Sequence, residues 1–231
     1  MPVRLLTLPV LIGAAALGLV ACTSAPQGHP TVYDLGLATA PIQGPDNAAH
    51  PALPPLVLTD VEAPPVLDGT ALLYRLAYHD AQQLRPYAQA RWSMPPAYLL
   101  RQRLRQQLAT HRFVASPADA GAARLPLLRI ELEEFSQVFE APGQCHALLR
   151  IRATLSQAPL NALAQGPGSS PGLLAAPLAP VPALLFQTSL AQQLACTTPD
   201  APGGARALAE ASDAVAAQLD AWLAQVSPAA P

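Results

Sequence analysis

Between residues 127 and 195 apolar and polar positions alternate with the period of two that marks half-buried strands. Leu128, Ile130 and Leu132 alternate with Arg129, Glu131 and Glu133, and then Phe135, Gln137 and Phe139 continue on the opposite parity. That reversal predicts a bulge near Glu133-Glu134. After a turn at Ala141-Pro142-Gly143-Gln144, Ala147, Leu149, Ile151, Ala153 and Leu155 alternate with His146, Arg150, Arg152 and Thr154, predicting a second strand. With this turn, Glu133 comes near Arg152 across the ladder. Residues 159–182, rich in Pro, Ala, Gly and Ser, have no period and are expected to form a long flexible loop. A third strand is expected over residues 184–195. If the last two strands are antiparallel neighbours, setting Cys145 opposite Cys196 pairs Ala147 with Leu194, Ile151 with Leu190 and Leu155 with Phe186. Each pair then lies on one face, and a one-residue slip would destroy the agreement.

The earlier half has shorter elements. Thr31-Val32-Tyr33-Asp34-Leu35 predicts a short strand, residues 38–55 a Pro- and Ala-rich linker, and Leu56-Val57-Leu58-Thr59-Asp60-Val61 a strand stopped by Pro64-Pro65. Two aromatic-bearing runs, one from Leu72 to Tyr78 and one from Gln83 to Ala88, flank His79-Asp80-Ala81-Gln82 as a hairpin. Pro86 places the second run at an edge or a bulge. Ser93-Met94-Pro95-Pro96 announces a helix whose apolar stripe is Ala97, Leu100, Leu104 and Leu108. Arg101, Arg103, Arg105 and Arg112 fall largely off that stripe and predict a solvated face, the alternative for Arg101, Arg105 and Arg112 being contact with phospholipid headgroups or an acidic partner. Gly203-Gly204 opens a last helix, striped by Leu208, Val215, Leu219, Trp222, Leu223 and Val226, with Ala209, Ser212 and Ala216 small enough for close packing. The expected fold is α+β: an antiparallel sheet with two main helices packed on one face.

Ahead of these elements stands a different pattern. Arg4 precedes the apolar run of residues 5–21, which ends in Leu19-Val20-Ala21-Cys22, and no stop-transfer charge follows. This is the pattern of a secretion signal whose cleavage leaves Cys22 as a lipidated N-terminus. A thioether-linked diacylglycerol and an amide-linked chain such as palmitate would hold the protein on a membrane, each buried methylene contributing about 0.8 kcal/mol. The expected organisation is a removed signal at residues 1–21, a lipidated tether at 22–30 and one domain at 31–227, interrupted at 38–55 and 159–182. All 13 basic residues are arginine against 15 acids, so nothing favours nucleic acid. With Cys22 used for lipid, Cys145 and Cys196 remain, and an exported pair is expected to form a disulfide.

Catalytic patterns are absent: no phosphate-binding glycine loop, no nucleophile elbow, no His-Glu-x-x-His helix. His79-Asp80 reads as a solvated turn, and Glu131 and Glu133 lie on the outward parity of a strand. The expectation is a non-enzyme without metal or cofactor. Tyr74, Tyr78, Tyr87 and Trp92 read as core aromatics, with a lipid-lined groove as the alternative.

The motifs Tyr33-x-Leu35, Leu67-Asp68, Leu73-Tyr74-Arg75 and Tyr87-Ala88-x-x-Arg91-Trp92-x-x-Pro95-Pro96, with the leucine-spaced helix, resemble the auxiliary lipoproteins of ABC-type transport systems. The resemblance covers most of residues 31–226; the 38–55 linker and the 159–182 loop depart from it. It implies an outer-membrane, periplasm-facing lipoprotein. Its partners would be an MCE-type substrate-binding protein and an ABC permease and ATPase that move phospholipid or other hydrophobic molecules, with homo-oligomers compatible. Thr23 agrees with that location, because an aspartate following the lipidated cysteine is the usual inner-membrane retention signal. A free-standing lipid-binding or envelope-assembly lipoprotein is the alternative.

Overall fold

The structure, a computed structural model, describes residues 29–37, 53–157 and 183–226. The expected signal and lipobox, the segment 159–182 and most of the 38–55 linker lie outside the described residues.

The sheet is organised around one long strand. β6 (Leu127–Ala141) carries the expected parity reversal, its register shifting between Leu132 and Glu134. Along one edge it pairs antiparallel with β7 (Gln144–Gln157), joined through a turn where Gly143 takes φ 80°, a conformation open to glycine. β7 in turn pairs antiparallel with β8 (Ala183–Ala195) in the expected register, with Ala147 opposite Leu194, Ile151 opposite Leu190 and Leu155 opposite Phe186. The Cys196 N–H donates to the Cys145 carbonyl at 2.9 Å, extending that ladder by one position.

The other edge of β6 departs from expectation. Two strands share it: β2 (Leu56–Glu62) beside its first half and β3 (Ala71–Leu76) beside its second, both parallel. β1 (Thr31–Tyr33) is parallel to β4 (Asp80–Trp92), and the two-residue β5 (Val114–Ala115) is parallel to β2. The sheet is therefore mixed rather than purely antiparallel. Parallel neighbours need a crossover, and the helix between β4 and β6 provides one. Strand periodicity reports which face is buried, not which way the neighbour runs. The β3–β4 hairpin turns at Ala77-Tyr78-His79, earlier than expected. Pro86 stands at a register irregularity in it, opposite Leu73, as a residue without an N–H requires.

Both helices cover the face on which β7 buries Ala147, Leu149, Ile151, Ala153 and Leu155, and one apolar cluster joins these to helix residues. α1 (Pro96–Leu108) starts at a proline, whose fixed φ suits the first turn, and packs on β2. Leu100, Leu104 and Leu108 are fully enclosed, each contributing about 1.5–3 kcal/mol. α2 (Ala201–Val226) packs on α1, β6, β7 and β8 through Leu208, Val215, Leu219 and Leu223.

The arginine expectation for α1 needs correction. Arg105 is exposed and Arg101 pairs with Asp60 at 3.2 Å, but Arg103 and Arg112 are buried. Arg103 lies three residues after Leu100 and therefore on the buried stripe, and Arg112 follows the helix into the interior. Each finds a carboxylate on α2, which is what makes a buried guanidinium tolerable.

Candidate functional site

Two of the motif tyrosines meet in an aromatic and polar cluster. Tyr74 of β3 and Tyr87 of β4 lie with ring centroids 4.6 Å apart, and Tyr74 also meets Phe139 of β6 edge-on at 6.0 Å. The Tyr87 hydroxyl donates to Gln137 Oε1 at 2.8 Å. Because that bond occupies the oxygen, Gln137 directs Nε2 the other way, to Cys145 Sγ at 3.0 Å, Cys196 Sγ at 3.4 Å and the Asp200 carbonyl at 3.2 Å. Gln137 is completely buried, and its amide joins β4, β6, β7 and the entry to α2. The remaining motif residues have separate roles. Arg75 pairs with Glu134 at 2.9 Å, and Trp92 meets Phe135 edge-on at 5.4 Å in the core. Pro95 and Pro96 start α1, while Arg91 is exposed on β4. Of the aromatics considered for a groove, Tyr78 alone is half exposed at the hairpin.

The entry to α2 closes over this cluster. Asp200 accepts from the Gly203 N–H at 2.9 Å and the Thr198 hydroxyl at 2.6 Å, an N-cap that holds its carboxyl below the usual range, the Thr198 hydroxyl being the larger cause. Cys145 and Cys196 are free thiols here, and the expected bond between them is not seen. Burial, reinforced by the Cys145 side chain, pushes the Cys196 thiol up to about 12, and burial likewise raises the Tyr87 phenol above its ordinary range.

A pH dependence follows for the reduced protein. The raised thiol pKa favours the protonated form in the folded state, so this contribution is fully present below the ordinary value of 9.0 and is lost as pH rises towards 12. Thermal melts in reductant should show stability declining over that window. Cys196→Ser should show a shallower decline, and an equally steep one would refute the assignment.

A second cluster fastens the N-terminal segment. Arg103 donates to Asp213 of α2 at 2.8 Å, to the Gly36 carbonyl at 3.0 Å and to the Leu35 carbonyl. Two open grooves flank that segment. One of about 320 Å³ runs along α1 past Met94, Tyr98 and Gln102, and one of about 430 Å³ runs along α2 past Pro202, Ala205 and Arg206. A third cluster joins Arg112 to Asp220 at 3.2 Å, with His111 Nδ1 2.6 Å from the other carboxylate oxygen. Burial lowers the Arg112 guanidinium's affinity for its proton, and Asp220 opposes that effect.

The acids and histidines weighed for chemistry do not converge. His79 is exposed at the hairpin, and Asp80 accepts the Gln82 N–H at 3.0 Å. Glu133 pairs with Arg152 at 2.6 Å as expected, and Glu131 lies 3.8 Å from Arg129. Among the described residues no group of three or more His, Cys, Asp or Glu could hold a metal ion, and no helix is long and apolar enough to cross a membrane. Sequence reading missed Gln137 as an organising residue and missed Asp213 and Asp220 as partners. A polar side chain on the apolar parity between Phe135 and Phe139 was the available signal for Gln137.

Comparison with known proteins identifies what carries these clusters. A protein from Xanthomonas campestris matched to the family model DUF330 has a similar fold, with TM-score 0.61 at 16% identity, over 83% of this chain and 93% of that one. A crystal structure of an uncharacterised protein matches with TM-score 0.57 at 14% identity, over 85% and 99%. No curated protein sequence matches. The family model described as "ABC-type transport auxiliary lipoprotein component" matches residues 33–226, so that the segment held by Arg103, the Gln137 cluster and both helices all fall within it, and the chain belongs to that family.

Proposed function

We propose that this protein is a non-catalytic outer-membrane lipoprotein serving an ABC and MCE-type system that moves phospholipid or related hydrophobic molecules across the periplasm. The family match over residues 33–226 carries this reading. Two features support a structural role. The motif residues Tyr74, Arg75, Tyr87, Trp92, Pro95 and Pro96 serve packing and helix initiation rather than a gathered reactive site. Arg103 ties the segment at Leu35-Gly36 to both helices. The described grooves are open, whereas a free-standing carrier needs an enclosed apolar cavity to bury most of its ligand.

Gentle detergent extraction followed by affinity capture should recover an MCE-type protein with the permease or ATPase. Capture of none of these, together with lipid released on denaturation, would favour the carrier. Cys22→Ser should move the protein from the membrane to the soluble fraction and abolish function while the far-UV spectrum and melting temperature stay unchanged. A soluble form that complements fully would refute the role of the anchor.

A further inference from the structure

We propose that Cys145 and Cys196 are a disulfide site assembled by Gln137, and that the bond locks the entry of α2 onto the end of the β7–β8 ladder. Three features place the two sulfurs together. The residues stand directly across the ladder, linked by a backbone hydrogen bond of 2.9 Å. Both sulfurs accept from one amide nitrogen, at 3.0 and 3.4 Å. That amide is completely buried and held from its other end by the Tyr87 hydroxyl at 2.8 Å, which keeps Nε2 facing both sulfurs. Their backbone bond makes this a hydrogen-bonded pair, whose Cβ atoms stand near the wide end of about 4.5–5.5 Å, so the bond requires the chain beyond Ala195 to draw in toward the separation of about 3.8 Å in a disulfide.

The oxidant is an external disulfide. Cys145, which unlike Cys196 is not packed against the core cluster, attacks one sulfur of that disulfide, forming a mixed disulfide and expelling one external thiol. Cys196 then attacks the Cys145 sulfur and expels the second external thiol. One protein S–S bond forms and one external S–S bond breaks. Two electrons pass to the external disulfide, and the two thiol protons end on the released thiols. The bond closes a loop that contains most of β7, residues 158–182 and all of β8, so much of its stabilisation is loss of freedom in the unfolded chain. Gly204 packs on Gln137, which contacts both sulfurs, and Gly203 packs on Thr198, two residues beyond Cys196, so the crosslink lies beside the start of α2.

The test uses the full mature chain in detergent, reduced and then exposed to oxidised glutathione, with alkylation and peptide mapping. The expected product is a crosslinked peptide pair joining positions 145 and 196, with neither cysteine alkylated. Reductant should then lower the melting temperature by roughly 10 °C. Two alkylated cysteines, two separate glutathione adducts, or a melting temperature indifferent to reductant would overturn the site. Tyr87→Phe tests Gln137 as the positioning residue, because it removes one hydroxyl while keeping the ring against Tyr74. The ratio of internal crosslink to mixed glutathione disulfide should fall roughly fivefold, the effect of about one hydrogen bond. A general loss of packing would lower the melting temperature without moving that ratio. An unchanged ratio overturns the role of Gln137, while the crosslink itself stands or falls on the mapping. The result is independent of lipidation and of any transport partner.

Discussion

Asp220→Ala should destabilise the protein by about 3–5 kcal/mol, lowering its melting temperature by roughly 10 °C. The Arg112 side chain is fully enclosed, and its Nη2 is 3.2 Å from Asp220 while Nε and Nη1 have no hydrogen-bond partner. Removing the carboxylate leaves a charged group in the interior with nothing opposite, and the cost of that exceeds the worth of the pair itself. His111, whose ring is 2.6 Å from the second carboxylate oxygen, is half exposed and can turn to water. A double replacement, Arg112→Met with Asp220→Leu, should recover most of the loss, because it removes both charges and fills the space with apolar volume. Denaturant melts of the two variants decide the matter. A single variant within 1 kcal/mol of the parent, or a double variant as unstable as the single, would show that burial of the guanidinium is not the governing term.

Replacing either glycine at the start of α2 with alanine should also destabilise, by about 3 kcal/mol, reversing the usual gain from putting alanine into a helix. A Cβ on Gly204 would lie 2.3 Å from Gln137 Oε1, and one on Gly203 would lie 2.0 Å from the Thr198 carbonyl. Neither neighbour can give way freely. Gln137 is held by hydrogen bonds at both ends, and the Thr198 carbonyl belongs to the backbone of the turn that the Asp200 cap stabilises. Gly204→Ala should additionally loosen the two cysteines, so alkylation of Cys196 in the reduced protein should quicken. Gly203→Ala, which meets only backbone and the Thr198 side chain, should lower stability with a smaller effect on alkylation. Melting temperatures equal to or above the parent would show that these glycines are helix residues like any other.

How far the site could be read in advance depended on the kind of information each part needed. Tyr74, Arg75, Tyr87 and Trp92 stood out because their spacing resembles a family, and the structure brings Tyr74 and Tyr87 together while leaving Arg91 on the surface. From its charge alone Arg103 reads as solvated. Its position three residues after Leu100 said otherwise, and only the carboxylate supplied by a helix more than a hundred residues away made that burial affordable. The same holds for Gln137, whose four hydrogen-bond contacts come from β4, β7, the end of β8 and the start of α2.

The sequence by itself determined the faces of the strands, the parity reversal at Glu133-Glu134, the apolar stripes of both helices and the register of β7 against β8. These are local or nearest-neighbour properties: alternation of period two names the buried side, and a slip of one residue exposes it. The parallel placement of β2 and β3 along a single edge of β6, and the pairing of Arg103 and Arg112 with carboxylates on α2, were decided by the tertiary structure alone. Alternation is blind to the direction of a neighbouring strand, and a buried charge is stable only once a distant chain segment has brought its counter-ion to it.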